Sequence, residues 1–170
     1  MRCDIKLSNL SLANMIKEKK NPLKIKIIKK IMRGYIPTDY KISKWARISY
    51  MKKKESLVTI KLADKKEMMK LNQLYLNKKK SCNILSFPYN DVLEFGIYIL
   101  GDIILCPSVV NKESKIYNKT PDSRWAHMII HSMLHLQGYR HNSIVNRDKM
   151  ETVEIKLMKQ LGYQNPYHAN

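Results

Sequence analysis

The chain has 170 residues, of which 32 are Lys or Arg and 14 are Asp or Glu, so its formal net charge is +18 at pH 7. A chain of this length can bury a sizeable core, so we predict one globular domain over residues 1–170 that needs neither disulfides nor a metal for stability. The three widely spaced cysteines argue against a disulfide framework and against a cysteine zinc ribbon. With no long apolar run and no recognisable signal peptide, we expect a cytoplasmic protein that does not span a membrane.

The strong positive charge favours a polyanionic partner, nucleic acid first and an acidic membrane second. Part of that charge has a simpler explanation, because Lys, Ile and Asn are all abundant, as in a gene with AT-rich codons. Lys is also less suited than Arg to phosphate recognition. Its ammonium is a hydrated point charge, whereas the planar guanidinium of Arg can donate two parallel hydrogen bonds. The charge alone is therefore only partial support for RNA or DNA binding.

The first half of the chain predicts short strands and helices. Alternating apolar and polar residues at 1–11 predict a strand, and residues 57–62 predict another. Between them, the Lys-dense stretch 12–32 predicts an exposed helix pair or a loosely held arm, with an arm that binds RNA or a membrane surface as the alternative. Residues 39–50 suit a short helix, and Asp64 is typical of the N-cap of the next one.

The second half predicts two strands followed by three helices. Residues 83–88 predict a strand closed by Pro88, and residues 95–106 a longer strand with both faces covered, in which Gly101 marks a bulge or a close approach. The helices are expected at residues 107–118, from a cap at Asp122 or Ser123 to about Gln137, and at residues 147–161. Strands mixed with helices indicate an α/β (α+β) domain with a small mixed sheet.

Four of the five histidines lie in one segment, residues 127–141, with the sequence HMIIHSMLHLQGYRH. His131 and His135 are four residues apart, so on a helix their imidazoles project from one face and can reach a single ion. Gly138 lets the chain leave the helix, and His141 can then return as a third ligand. Three neutral imidazoles leave one coordination position open, which is typical of a catalytic site and suits zinc or a similar transition ion.

The other two histidines are weaker candidates. His127 can be a support for the ligands, a substrate contact or a packed core residue, and His168 in the C-terminal tail has no predicted role. The remaining faces of the histidine helix are expected to be core, formed by Trp125, Met128, Ile129, Ile130, Met133, Leu134 and Leu136.

The spacing HxxxHxxGxxH also occurs in metzincin proteases, whose helix carries HExxH with a glutamate as the general base. Ser132 occupies the position of that glutamate. A hydroxyl does not accept a proton at neutral pH, so the protease mechanism lacks its base. A zinc metallopeptidase is therefore the less favoured interpretation.

The chain resembles the YbeY family of bacterial endoribonucleases in several blocks. Residues 131–141, HSMLHLQGYRH, resemble the family signature HGxLHLxGYDH. Residues 71–88, LNQLYLNKKKSCNILSFP, resemble the block LNxxYRxKDxPTDVLSFP, and residues 100–106, LGDIILC, resemble the strand LGDIxIC. The resemblance runs from about Leu57 to the C-terminus, with further matches at residues 125–131 and 161–167.

This resemblance implies an α/β fold with the histidine-bearing helix beside the sheet, and one zinc ion, or another transition metal, on His131, His135 and His141. It implies a metal-dependent endoribonuclease that cuts single-stranded RNA in small-subunit rRNA 3′-end maturation, ribosome biogenesis and quality control. The expected partners are rRNA and the small ribosomal subunit, with no nucleotide cofactor and no membrane.

Three positions depart from the family pattern. Leu76 replaces the arginine of the YR pair, which is thought to engage RNA phosphate, and leucine cannot do so. Ser132 replaces a glycine, and Arg140 replaces an aspartate next to His141. Arg140 either weakens metal binding by repulsion or supplies the guanidinium lost at Leu76, and it is the one candidate for a catalytic role beyond the ligands. The departures leave open a non-catalytic RNA-binding ribosome assembly factor with a structural zinc.

The sequence does not identify a general base. Asp102, Asp148 and Glu151 are the carboxylates considered, with no reason to choose one of them. Hydrolysis by an activated water and attack by the RNA 2′-hydroxyl both remain open. Lysines of the sheet face and of the N-terminal arm are expected to hold the RNA backbone, with binding that depends on salt and little on base identity.

Overall fold

The computed structural model describes residues 22–31, 33–92 and 96–168. The strand predicted at residues 1–11 and the first part of the Lys-dense stretch, residues 12–21, lie outside the described residues. The single domain over residues 1–170 stays a prediction.

Strands and helices are short and follow one another closely along the described residues. Their bounds in chain order are β1 Leu23–Lys29, α1 Asp39–Ile48, β2 Ser56–Leu62, α2 Lys65–Leu76, β3 Ile84–Val92, β4 Tyr98–Leu105, α3 Pro107–Ile116, α4 Pro121–Leu136 and α5 Ile144–Gln160.

The strands of the described residues form one mixed sheet in the order β1-β2-β4-β3. β1, β2 and β4 run parallel, whereas β3 is antiparallel to β4 and lies at an edge of this sheet. Parallel neighbours require crossover connections, and helices α1 and α2 lie in these connections. The structure confirms the predicted α/β fold with a small mixed sheet.

Side-chain alternation divides the sheet into two faces. Val58, Ile60 and Leu62 of β2 are fully buried in the main core, which also takes in the inner side of α4. On the opposite face, Leu85 of β3 joins Met68 of α2 in a second, smaller cluster. Helix α4 therefore lies beside the sheet, as expected, and every core residue predicted for it is buried: Trp125, Met128, Ile129, Ile130, Met133, Leu134 and Leu136.

The prediction of a helix pair or a loose arm at residues 12–32 is wrong for its second part, because Leu23–Lys29 forms strand β1 and pairs with β2. Leu23, Ile25 and Ile27 pack against the main core, while the lysines between them are exposed. This period of two is the pattern of a strand with one buried face. The abundance of Lys and Ile across the whole stretch concealed it.

Strand β3 does not end at Pro88, as predicted, but continues to Val92. Its register with β4 shifts between Pro88 and Asp91, an irregularity at an edge strand where a missing N–H is tolerated. Opposite Pro88, Gly101 has a φ of +143°, and a Cβ placed on it would lie 2.1 Å from the backbone oxygen of Phe87. The close approach predicted at Gly101 is confirmed.

Helix α4 begins slightly earlier than predicted. Its N-cap is Thr120, whose side chain accepts a hydrogen bond from the N–H of Ser123 at 3.2 Å, and Pro121 occupies the first helical position. Neither Asp122 nor Ser123 is the cap. The Asp122 carboxylate instead accepts a hydrogen bond from Lys41 Nζ at 2.5 Å, which ties α1 to the start of α4.

Helix α5 also begins earlier than the predicted residue 147, because Ser143 accepts a hydrogen bond from the N–H of Asn146 at 3.2 Å and starts the helix at Ile144. Asp64 caps α2 as predicted. Cys82 and Cys106 are free thiols in the part of the chain that the structure describes. No helix within residues 22–31, 33–92 and 96–168 is long and apolar enough to cross a bilayer.

Candidate metal centre

Helix α4 and the turn that follows it bring three histidines together. The Nε2 atoms of His131 and His135 are 3.0 Å apart. The centroid of the His141 ring lies 4.9 Å from that of His135 and 5.8 Å from that of His131. One nitrogen from each ring lies within 4.8 Å of the others, so a single ion could bind all three.

The backbone after α4 explains how His141 returns to the helix. The N–H of Gly138 donates to the carbonyl of His135 at 3.1 Å, and the N–H of Tyr139 donates to that of Leu134 at 3.0 Å. Gly138 has a φ of +100°, in the left-handed region that favours glycine at a helix end. The chain therefore leaves the helix sharply and places His141 next to the two helical rings.

The two helical histidines are each held by an acceptor on the far side of the ring. His131 Nδ1 lies 2.7 Å from Glu154 Oε1, and His135 Nδ1 lies 3.0 Å from the carbonyl oxygen of Tyr139. Because an ionised carboxylate and a carbonyl only accept, each Nδ1 carries a ring proton, and Nε2 is the nitrogen of each ring that is left to bind a cation. Two lone pairs that meet at 3.0 Å repel each other unless a proton or a cation lies between them. This donor set fits zinc or a similar transition ion.

Burial and charge keep these groups in forms that can bind metal. Desolvation, followed by the adjacent His131 ring, lowers the pKa of His135 to about 4, so the ring is neutral at pH 7. Burial acts to raise the pKa of Glu154, but the neighbouring His127 and His131 outweigh it and hold that pKa below its ordinary value. Glu154 is therefore an anion at neutral pH.

Glu154 is the residue of this site that sequence reasoning missed. It lies on α5 and is only 1% exposed, and its carboxylate accepts hydrogen bonds from His131 and from the hydroxyl of Tyr167. The spacing of residues in the sequence could have revealed it. Met150, Glu154 and Met158 follow one another at four-residue intervals, so Glu154 lies on the buried side of the helix. A carboxylate in such a stripe requires partners, and a nearby histidine is an obvious one.

His127 lies one turn before His131 and outside the group formed by the other three histidines. The ring is buried, and its Nδ1 lies 3.3 Å from Arg124 Nη1. Arg124 in turn forms an ion pair with Glu113 at 2.7 Å. Desolvation lowers the pKa of His127, so this ring is neutral as well. The three roles left open by the sequence stay predictions.

Two of the positions that depart from the family pattern are Ser132 on α4 and Leu76 on α2. Ser132 is fully buried, and its hydroxyl accepts a hydrogen bond from Ser86 of β3 at 2.8 Å, so it packs helix α4 onto the sheet. Leu76 is the last residue of α2, the helix that covers the opposite face of the sheet, and it is 52% exposed.

The third departure, Arg140, lies directly beside the candidate centre. Its Nη1 donates to the carbonyl oxygens of His135 and Tyr139 at 2.8 Å each, so it closes the C-terminal end of α4. A cavity of about 310 Å³ adjoins it, with Asn142 and Lys149 among its lining residues. Two cationic side chains thus border a space next to the histidine turn.

The three carboxylates considered as a general base do not join the histidines. Asp102 pairs with Phe87 on the sheet face opposite α4 and accepts a hydrogen bond from a tyrosine hydroxyl at 3.0 Å. Asp148 and Glu151 lie 3.9 and 3.8 Å from the Nε of Arg147. Among the described residues, Glu154 is the one acid in the two side-chain groups that could hold a metal ion.

Comparison with known proteins decides the family. The sequence model of the family described as "Endoribonuclease YbeY" matches residues 17–162. The chain belongs to the YbeY endoribonuclease family. The match confirms the predicted family and its endoribonuclease class. It also begins well before Leu57, where the sequence blocks first show the resemblance.

Several relatives and one solved structure are similar to this YbeY-family chain. The Endoribonuclease YbeY of Buchnera aphidicola subsp. Schizaphis graminum is 44% identical over 133 residues, which cover 78% of this chain and 84% of that protein. The Endoribonuclease YbeY of subsp. Baizongia pistaciae is 43% identical over 153 residues, 88% of this chain and 97% of that protein. A solution structure of a Thermotoga maritima protein has 20% sequence identity and a TM-score of 0.48, and the match covers 85% of this chain and 99% of that one.

Proposed function

We propose that this chain is a zinc-dependent, single-strand-specific endoribonuclease that acts in the cytoplasm on small-subunit rRNA, in 3′-end maturation and quality control during ribosome biogenesis. The observation that carries the proposal is the convergence of His131, His135 and His141 in a chain of an endoribonuclease family. The name of the relatives supports the class of reaction. The rRNA substrate and the ribosomal partner follow from the family resemblance.

The three histidines would hold one zinc ion through ring nitrogens and leave a fourth position open. When bound there, zinc supplies a Lewis acid for a phosphate oxygen. Glu154 is committed to the His131 and Tyr167 donors, so it is not free to take a proton from a nucleophile. Either water or the RNA 2′-hydroxyl can act as the nucleophile, and attack by the 2′-hydroxyl would leave a cyclic phosphate. Analysis of the ends of the cleaved RNA separates these two routes.

The cavity beside the histidine turn suits the RNA backbone. Arg140 and Lys149 line it, and the chain as a whole is strongly basic. Although Arg140 Nη1 donates to two carbonyls, a guanidinium carries five N–H donors, so the side chain keeps capacity for a phosphate. We assign these two residues to the binding of a phosphate adjacent to the cleaved one. This assignment corresponds to the second of the two roles predicted for Arg140.

The test uses purified full-length protein and a single-stranded rRNA fragment, with and without a chelator, and a metal assay on the same preparation. The matched variants are His135→Ala, which removes one ligand, and His168→Ala, which removes a histidine of the C-terminal tail. We expect cleavage that requires metal, is lost in His135→Ala and survives in His168→Ala. Cleavage that survives both the chelator and His135→Ala would overturn the proposal.

A second function is favoured by one specific observation. Leu76 stands where the family pattern has an arginine, and the leucine side chain is half exposed and has no group that can bind a phosphate. A protein with weakened RNA contacts that kept its metal would act as a non-catalytic assembly factor. Stoichiometric metal and RNA binding without cleavage, under conditions where a relative with arginine at this position cuts, would favour that function. A peptidase is disfavoured, because Ser132 is buried against Ser86 and is not available as a base.

A further inference from the structure

Glu154 is surrounded by side chains that can donate hydrogen bonds. His131 Nδ1 lies 2.7 Å from Oε1, and the hydroxyl of Tyr167 contacts Oε2. His127 Nε2 faces the same Oε2 at 3.7 Å. The carboxylate is 1% exposed, so protein groups take the place of water around it. A buried anion that accepts a hydrogen bond on each of its two oxygens is held in one place and one orientation.

The same atoms could be interpreted as a second metal site, because His127, His131 and Glu154 also place one ligand atom each within 4.8 Å of one another. Arg124 argues against that interpretation. Its Nη1 lies 3.3 Å from His127 Nδ1, and a guanidinium only donates, so Nδ1 accepts and the ring proton lies on Nε2. A protonated Nε2 has no lone pair to offer a cation. His127 therefore carries an N–H on the side that faces Glu154, but at 3.7 Å from Oε2 it makes no hydrogen bond to the carboxylate.

We propose that Glu154 is a positioning residue that fixes the tautomer and the ring orientation of His131, so that the Nε2 lone pair of His131 points at the metal. This inference rests on the metal site proposed above. The proton on His131 Nδ1 has Glu154 as its acceptor, and the other tautomer would direct an N–H at the metal and leave the carboxylate without its closest donor. Outer partners of this kind commonly change metal affinity by about 10- to 100-fold.

The C-terminal segment also helps to hold the Glu154 carboxylate in place. Tyr167 donates to Glu154, and the backbone on either side of Tyr167 is held by Lys119, whose Nζ donates to the carbonyls of Asn165 at 3.4 Å and His168 at 2.8 Å. Helix α5 and this segment thus enclose the carboxylate from two sides. Removal of the tyrosine hydroxyl alone should weaken the positioning less than removal of the carboxylate.

The experiment compares wild type with four variants of the full chain. Glu154→Gln keeps the shape and one acceptor, Glu154→Met removes both oxygens, and Tyr167→Phe removes one donor. Glu151→Gln is the matched control, because Glu151 lies on the same helix near Arg147 and outside the site. Long-range ¹H–¹⁵N spectra of the metal-free proteins report histidine tautomers, and competition with a chromophoric chelator measures zinc affinity.

We expect His131 to carry its proton on Nδ1 in wild type and in Glu151→Gln, and to lose that preference in Glu154→Met. Zinc affinity should fall by about 10- to 100-fold in Glu154→Met and by less in Glu154→Gln and Tyr167→Phe. Unchanged tautomer and zinc affinity in Glu154→Met and Glu154→Gln would overturn the proposal, as would two zinc ions per wild-type chain that fall to one in Glu154→Gln.

The metal site and the positioning role of Glu154 are tested by different results. If wild type binds no zinc at the triad, the proposed metal site fails, whatever the tautomer of His131. If wild type binds one zinc ion and the Glu154 variants bind it equally well, only the positioning role fails. Should the Met variant not fold, the zinc affinity of Glu154→Gln decides, because an amide oxygen is a weaker acceptor than a carboxylate and an unchanged affinity would overturn the proposal.

Discussion

The Nε2 atoms of His131 and His135 lie 3.0 Å apart, while the Nδ1 of each ring is engaged by an acceptor on the other side. Each ring therefore directs its Nε2 at the other, and at this distance a proton or a cation must lie between the two atoms. A bound cation would form a coordinate bond with each Nε2. The arrangement links metal binding to the stability of the end of α4, and that link can be measured.

We expect zinc to raise the thermal midpoint of the metal-free protein. A ligand at 100 times its dissociation constant contributes about 2.7 kcal/mol, which for a chain of this size corresponds to a rise of roughly 5–10 °C. His135→Ala should abolish the rise, and His168→Ala should retain it. Differential scanning calorimetry with and without zinc measures both. An equal rise in His135→Ala would show that the ion binds elsewhere.

Leu76→Arg should strengthen RNA binding. The side chain is 52% exposed, so the substitution should change the free energy of unfolding by no more than about 0.5 kcal/mol. A charge-assisted bond to a phosphate contributes roughly 1.5 kcal/mol, which corresponds to about tenfold tighter binding. Fluorescence anisotropy with a labelled single-stranded RNA at fixed salt measures the change.

The matched control for this prediction is Leu74→Arg, since Leu74 is on the same helix and is 74% exposed. It adds the same charge at a different place. A gain that is equal in both variants would mean that general attraction, and not the place of residue 76, is responsible.

Arg140→Ala and Lys149→Ala should each weaken RNA binding and reduce its salt dependence. Loss of one phosphate contact lowers the slope of log K against log salt by about 0.7 for a single strand. Lys24→Ala is the control, because Lys24 lies on β1 and forms an ion pair with Glu55. Binding titrations over a range of salt concentrations give the slopes. An Arg140→Ala variant that binds and cuts RNA as wild type does would remove the proposed phosphate contact.

Gly101→Ala should destabilise the protein strongly. The new Cβ would lie 2.1 Å from the backbone oxygen of Phe87, and the φ of +143° is unfavourable for any residue with a side chain. We expect a loss of about 3 kcal/mol or more, because neither backbone can move without breaking the pairing of β3 with β4. Gly162→Ala, where a Cβ has open space, should cost only about 1 kcal/mol. Urea denaturation of both variants compares them, and similar midpoints would contradict the steric argument.

The parts of the fold that were predicted correctly depend on residues close together in the sequence. Asp64 caps its helix through a hydrogen bond to an N–H three residues later, and the apolar residues of α4 repeat at helical spacing. Strand β1 was missed because its alternation of apolar and polar residues is hard to see among many lysines. Its hydrogen-bonded pairing with β2 holds these residues as a strand. The start of α4 was misplaced because Thr120, Asp122 and Ser123 are all good caps, and the placement of Pro121 selects the first of them.

For the site, the sequence by itself determined the four-residue spacing of His131 and His135, the exit at Gly138 and the resemblance to the YbeY family. These features are local, so helix geometry alone brings the first two rings together. Only the tertiary structure decided that Glu154, which is 23 residues away from His131, carries the acceptor for its ring, and that Tyr167 contacts the same carboxylate. The packing of α5 and the C-terminal segment against α4 depends on many weak contacts distributed along the chain, and such contacts leave no short motif.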